Sequence, residues 1–447
     1  MKKQASALLA VTLGLTAVFG ANIGQGHAES AEKGYLLVFK QETNLPVDYQ
    51  NVIEKAGGKV KRSLKQLGAV SVTSSNPNFL AEIEASGLVQ DVGVEHVVEP
   101  EAPVEREAFT GDFAAGVQND LYNKYQWDIK QVTDNGASWN LPGGTGKSVD
   151  GKDIVVAVVD TGIDYNHPDI KANYAYGKSF VQGITDPGDG DGHGTHVAGS
   201  IAGNGRVLGV GPQLKVASYR VFAPGASAYT SDIAAALMTA ADDNVDVVNM
   251  SLGGYDWFQD PAYATKDVVA DVRLFNRAIT YAVKKGVTVV GSSGNAGADI
   301  TSPGGFDDSN GATHRSPSSQ LLIRTSASGQ ELNLTYYSNY GVGKIDVAAP
   351  GGDYGTAWLA TGDRNLRDLN KRALSTVPGG YAWYMGTSMA APKTAALAGV
   401  IIANHGKDVL SPSQVKHIIQ TSATDLGKNG YDGQYGHGLI NAVNALK

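Results

Sequence analysis

The chain contains no cysteine, which removes the disulfide as a stabiliser, the thiolate as a nucleophile and the sulfur ligand sets of zinc and iron–sulfur sites. Charge is scarce as well. Only 18% of the 447 residues are charged, and 44 acidic against 36 basic residues give a formal net charge of -8. Without a basic excess there is no electrostatic footprint for nucleic acid or for an anionic membrane surface. Small molecules, peptides or proteins remain as partners. Long apolar runs are missing too: Ala7 to Phe19 falls short of the ~20 residues that cross a bilayer, and no later segment is long enough.

What is present begins with that same run. It follows Lys2 and Lys3 and gives way to Gly26 and Ala28 around His27, the three-part pattern of a secretory signal, with cleavage expected after Ala28 and a secreted product. At 42% hydrophobic content the 447-residue chain can bury a large core in two or three units, held by packing or by metal ions.

From YLLVF (35–39) to VEHVV (94–98) short strand-like and helical stretches alternate in the order β-α-β-β-α-β, with helices around Tyr49, Val52 and Ile53 and around Phe79 and Ile83. This is a small split βαβ unit. The acidic, proline-containing EPEAPVEREAF (99–109) reads as a linker. Beyond it, β-branched runs at 152–160, 215–222, 245–254 and 286–295 alternate with helices, one marked by Val268, Val272, Phe275, Ile279 and Ala282. The pattern predicts an α/β fold with a mainly parallel sheet sandwiched by helices. Asp160, Ser251 and Asn295 then fall at the carboxyl edge of that sheet, where open α/β folds bind ligands.

GGTGKSVDGKDIVVAVVDTGID (143–164) offers two misleading motifs. Gly-Lys-Ser at 146–148 imitates a phosphate-binding loop, but Leu141 stands at the first glycine and a turn and strand follow instead of a helix. Asp160-Thr161-Gly162 imitates half of an aspartic-protease dyad, but the chain has no second copy. Asp160 makes better sense with two later stretches, DGDGHGTHVAGSIAG (189–203) and YMGTSMAAPKTAALAGVII (384–402). Ser388 would stand at the start of a small-residue helix read from Ala390 to Ile402, with Pro392 expected in its first turn. A serine hydroxyl needs a base, such as His193, and the base needs an orienting carboxylate, such as Asp160. Taken singly, Ser388 could cap a helix, His193 and His196 could bind metal, and Asn295 could shape a turn.

Taken jointly, VVDTGID (158–164), HGTHVAG (193–199), SLGG (251–254), GN (294–295), YSNYG (337–341), DVAAPGG (346–352), GTSMAAP (386–392) and YGHGLIN (435–441) resemble the subtilisin-like serine proteases. The resemblance covers the chain from about 120 to its end and extends to peptidases that trim lantibiotic leader peptides. It implies a signal peptide (1–28), a chaperone and inhibitor propeptide (29–107) and a catalytic domain (108–447), with activation by a cut in the 99–120 region. It also implies an endopeptidase, monomeric and free of the membrane once the signal is removed, acting on protein or peptide substrates and first held by its own propeptide. Asp160 would be the orienting carboxylate, His193 the general base and acid and Ser388 the nucleophile. Asn295 and Ser388 would form the oxyanion hole, and Ser251, Leu252, Gly253, Gly254, Ser292, Ser293 and Gly294 would flank the substrate. Catalysis would need no cofactor. Calcium is the family's usual stabiliser and Asp169 matches one ligand position, although the loop at 200–212 is short and offers mainly Asn204. Asp299, Asp307 and Asp308 raise the question of a basic substrate residue, which the sequence leaves open.

Overall fold

The computed structural model describes residues 32–111, 117–252, 257–259, 265–301, 313–315 and 321–447. Its N-terminal unit is β1 (Lys33–Phe39), α1 (Tyr49–Lys55), β2 (Gly58–Leu64), β3 (Ala69–Ser74), α2 (Phe79–Ala85) and β4 (Val89–Val94), with an antiparallel sheet in the order β2-β3-β1-β4. Strand alternation splits β1 between two cores. Tyr35, Leu37 and Phe39 pack with Ile53, Phe79 and Ile83 inside the unit, while Leu36 and Val38 face the other way and join a core shared with the rest of the chain.

The fourth strand ends where the sequence pattern begins it. Val97–Val98, as β5, leaves this sheet to pair antiparallel with Ala228–Tyr229. The intervening polar residues are spent on the neighbouring helices: Glu95 accepts from the Ser231 amide at 3.0 Å, and His96 Nδ1 lies 2.6 Å from the buried Asp271 carboxylate.

The large sheet consists of β7 (Val155–Asp160), β8 (Tyr174–Ser179), β9 (Lys215–Arg220), β11 (Val247–Met250), β12 (Thr288–Ser292), β13 (Ile323–Ser328) and β14 (Val347–Pro350); β10 is the short Ala228–Tyr229. All seven of its strands are parallel, in the order β14-β13-β12-β11-β7-β9-β8. Three of them, β8, β13 and β14, lie outside the runs picked out by sequence pattern. Helices cover both faces. Val156 and Val158 point to one core with α3 (His193–Ala202) and the helix Thr387–His405, whereas Ala157 and Val159 point to the other with α4 (Thr230–Asp242) and α5 (Thr265–Lys284). A smaller antiparallel sheet orders β15 (Ala373–Val377), β16 (Gly380–Met385) and β6 (Glu105–Ala108).

The helix Thr387–His405, α6, is buried from Thr387 to Ala403. Its alanines and Gly399 let strands approach on several sides, as a fully enclosed helix requires. Pro392 is its sixth residue, beyond the first turn where it was expected. A proline there donates no N–H to the carbonyl four residues back, that of Ser388. The Ser251 hydroxyl replaces the missing donor at 2.9 Å.

Candidate active site

Asp160 is the last residue of β7 and His193 the first of α3, so sheet edge and helix start bring them together. His193 Nδ1 lies 2.8 Å from Asp160 Oδ1 and 3.0 Å from Oδ2, with both side chains 1% exposed. Burial pushes the imidazole toward neutrality, but the Asp160 carboxylate outweighs it and the pKa ends above its ordinary value. Two glycines make the approach possible. Gly192 has φ +113°, and a Cβ on Gly194 would sit 2.1 Å from the Gly162 carbonyl oxygen.

Asp189, the first residue of the DGDGHGTHVAGSIAG stretch and given no role by the sequence pattern, fixes this arrangement. Its Oδ1 accepts from the Thr161 hydroxyl and from the amides of Asp191 and Gly192, each at 2.9 Å. Its Oδ2 accepts from the Thr195 amide at 2.9 Å and the Thr195 hydroxyl at 2.6 Å. One carboxylate thus ties the residue after Asp160 to the first turn of the helix that carries His193. An acidic group is favoured at such a helix start.

Ser388 lies in the first turn of α6, at the other side of the site. Its hydroxyl contacts Met389 Sδ at 3.5 Å, while His193 Nε2 is buried without a hydrogen-bond partner among the described residues. The structure therefore joins Asp160 to His193 and leaves the Ser388 hydroxyl turned aside. Asn295 is oriented by Thr387, whose amide and hydroxyl both donate to Asn295 Oδ1 at 2.9 Å. A Cβ on Gly386 would lie 3.3 Å from Asn295 Nδ2 and 3.2 Å from Ser388 Oγ.

Residues 100–109 occupy the ground between these groups. Pro100 bridges antiparallel to Leu252, Asn295 Nδ2 donates to the Ala102 carbonyl at 3.3 Å, and the Val104 amide donates to the Met385 carbonyl at 2.8 Å. β6 then continues along β16, the strand that leads into Ser388. Arg106 pairs with Asp191 at 2.8 Å and Arg372 with Glu107 at 2.8 Å. Phe109 is buried with Leu121, Val207, Leu374, Tyr381 and Trp383.

The expected substrate-flanking residues divide. Leu252 and Ser292 touch this segment, the latter through a 2.6 Å hydrogen bond to Glu101. Ser251 supports the Ser388 carbonyl, the Ser293 hydroxyl donates to the Asn339 carbonyl at 3.1 Å, and the Gly294 amide donates to the Thr387 hydroxyl at 3.1 Å. Gly253, Gly254, Asp307 and Asp308 lie outside the described residues. His196 stacks on Tyr384 with ring centroids 4.3 Å apart, and burial holds it well below its ordinary pKa, as a neutral packing residue.

Asp169 is 5% exposed and its Oδ2 accepts from the Val207 amide and the Tyr381 hydroxyl, each at 3.0 Å. Among the described residues no group of three or more carboxylates or imidazoles is gathered to hold a metal. A hard cation wants six or more oxygens, and Asp169 Oδ2 is already engaged by these two protein donors. Residues 143–150 form successive turns, with Ser148 Oγ donating to Asp150 Oδ1 at 2.5 Å.

Lys393, on α6 one turn beyond Met389, is fully buried and pairs with the equally buried Asp128 at 2.8 Å, while its Nζ also donates to the Met389 carbonyl at 3.0 Å. Removing one partner strands the other charge in the core. Lys393→Met is expected to lower unfolding free energy by about 3–5 kcal/mol, read as a fall in the urea midpoint, and Asp128→Leu added to it to restore most of the loss. An unchanged midpoint in the single variant would contradict a dry ion pair.

Residues 151–438 match the Subtilase family. The chain is 31% identical over 449 residues to subtilisin E of Bacillus subtilis (strain 168), covering 99% of this chain and 98% of that protein. It is 30% identical over 378 residues to the epidermin leader peptide-processing serine protease of Staphylococcus epidermidis, covering 77% of this chain and 79% of the relative. The crystal structure of the epidermin leader peptide processing serine protease from Staphylococcus aureus shares the fold, with a TM-score of 0.76 at 24% identity over 93% of this chain and 98% of that one.

Proposed function

Because this chain belongs to the subtilase family, and so to the serine endopeptidases, we propose that it is made as a secreted precursor that cuts itself and then hydrolyses peptide bonds through an acyl-enzyme on Ser388. Ser388 Oγ turns from Met389 Sδ to His193 Nε2 and adds to the substrate carbonyl carbon as His193 takes the hydroxyl proton. Asp160 holds the N–H of Nδ1 and steadies the imidazolium. Asn295 Nδ2 donates to the oxyanion, and the negative charge is met by groups already in place. His193 then returns the proton to the leaving amine, and water repeats the sequence on the ester. The chemistry runs on side chains and backbone alone, and calcium has no step in it.

The observation that carries this reading is the extended segment at 100–104, which lies against Leu252, Asn295 and Met385 as a peptide to be cut would lie. The N-terminal unit before it is read as the propeptide. It is seated on α4 and α5 through Leu36, Val38, Leu64 and Val98, and residues 1–28 as its export signal. The partner is then a protein or peptide, and the mature enzyme acts as a monomer outside the cell. No helix among the described residues is long and apolar enough to cross a membrane. A dedicated role in trimming leader peptides is the second reading, favoured by the relative from Staphylococcus epidermidis.

A serine-directed organophosphorus reagent tests the proposal. Applied to the secreted, processed protein it is expected to abolish peptide cleavage and to add its mass to the peptide containing Ser388. Full cleavage by protein carrying the label, or loss of activity with the label elsewhere, would overturn it.

A further inference from the structure

Glu101 has a place of its own in the site. It is 6% exposed, its Oε2 accepts from the Ser292 hydroxyl at 2.6 Å and its Oε1 accepts from the Thr387 hydroxyl at 2.9 Å. The flanking backbone is held by the Pro100–Leu252 bridge and by the contact of the Ala102 carbonyl with Asn295. From this geometry we propose that the pocket walled by Leu252, Ser292 and Thr387 selects glutamate on the acyl side of the cleaved bond, at that bond or one residue before it, with Glu101 as its first occupant. The inference rests on the protease reading above.

The pocket suits a carboxylate in three respects. The Ser292 contact falls in the range of a charge-assisted O–H···O⁻ hydrogen bond. Both donors sit on rigid elements, Ser292 at the end of β12 and Thr387 at the start of α6, which fixes where an acceptor must stand. The carboxylate is also near enough to favour the protonated form of His193, the species that must form during acyl transfer. A leucine in the same place would offer no acceptor, so the Ser292 hydroxyl would fall back on its longer 3.2 Å contact with the Leu252 carbonyl and the Thr387 hydroxyl on Asn295 Oδ1, and losing the charged acceptor is what makes such a pocket selective. Lysine or arginine would bring a cation and no acceptor, and the hydroxyl protons of Ser292 and Thr387 would have to be aimed elsewhere. The Thr387 proton is shared with Asn295 Oδ1 at 2.9 Å, so recognition of the side chain is wired to the orientation of the oxyanion donor.

The test uses the processed enzyme and a set of peptides that copy residues 96–108 with Glu, Gln, Leu or Arg at the position of Glu101. Glutamate is expected to give a kcat/KM at least about tenfold above leucine or arginine, with glutamine between, and Ser292→Ala is expected to shrink the ratio of Glu to Leu by about tenfold. The peptide series needs no variant enzyme, so a misfolded Ser292→Ala protein does not remove the test. Edman sequencing of the processed chain should begin at Ala102 or Pro103. Equal or better cleavage of the leucine or arginine peptide, or a new N-terminus outside those two residues, would overturn the inference while leaving the protease intact. No Ser388-dependent cleavage of any peptide would overturn the protease reading, and this inference with it.

Discussion

A precursor carrying Ser388→Ala is expected to remain full length under conditions in which the wild type is cut between its N-terminal unit and its large sheet, and its peptide turnover is expected to fall by about 10⁶-fold, the loss known for the nucleophile of a related subtilisin. The structure makes this substitution unusually clean. Among the described residues the Ser388 hydroxyl hydrogen-bonds to the Met389 thioether and to no other group. The helix start is served by Asn295 Oδ1, which accepts from the Thr387 amide. The Ser388 carbonyl, orphaned by Pro392, is satisfied by Ser251 through a main-chain contact that alanine preserves. Losing the hydroxyl therefore removes no cap and only the long 3.5 Å hydrogen bond to a thioether, a weak acceptor, and the melting temperature of the variant should stay close to that of unprocessed wild type. Gel and mass analysis of the two purified precursors decide the matter: equal processing of both would remove Ser388 from the chemistry.

Much of this site was legible because its local rules are strict. Glycine beside His193 and Ser388, strand patterns ending at Asp160 and Asn295, and the order of three motifs all leave marks within a few residues. What was not legible depends on contacts between distant parts of the chain. Asp189 reads as one more loop acid until Thr161 and Thr195 are seen on its two oxygens. Lys393 reads as a polar interruption of a small-residue helix until Asp128 closes on it. Residues 99–109 have the composition of a linker, yet 105–108 pair with β16, because an edge strand accepts an extended segment of almost any sequence through its backbone. Pro392 was misplaced for a related reason: the helix starts three residues earlier than its run of alanines suggests, and the donor that compensates for the proline comes from another strand.

Asp160→Asn is the sharper probe of how the groups act together. Turnover of the processed enzyme is expected to fall by about 10⁴-fold, as loss of the orienting carboxylate does in serine proteases of other folds. An amide at this position can present N–H to His193 Nδ1, which places the imidazole proton on Nε2, where the base must be free. The pH profile carries independent information. Burial alone would push His193 below its ordinary pKa, and it ends above that value because Asp160 stands 2.8 Å away. A base with a raised pKa keeps its proton to higher pH, so activity is present above that pKa and is lost as pH falls through it. The acid limb of kcat/KM in the wild type should lie above 6.5. With Asp160→Asn the carboxylate's pull is gone, so the limb of the residual activity should move to lower pH. A limb that stayed in place would mean that another group controls it, and Asp160 would then be holding the imidazole without setting its charge.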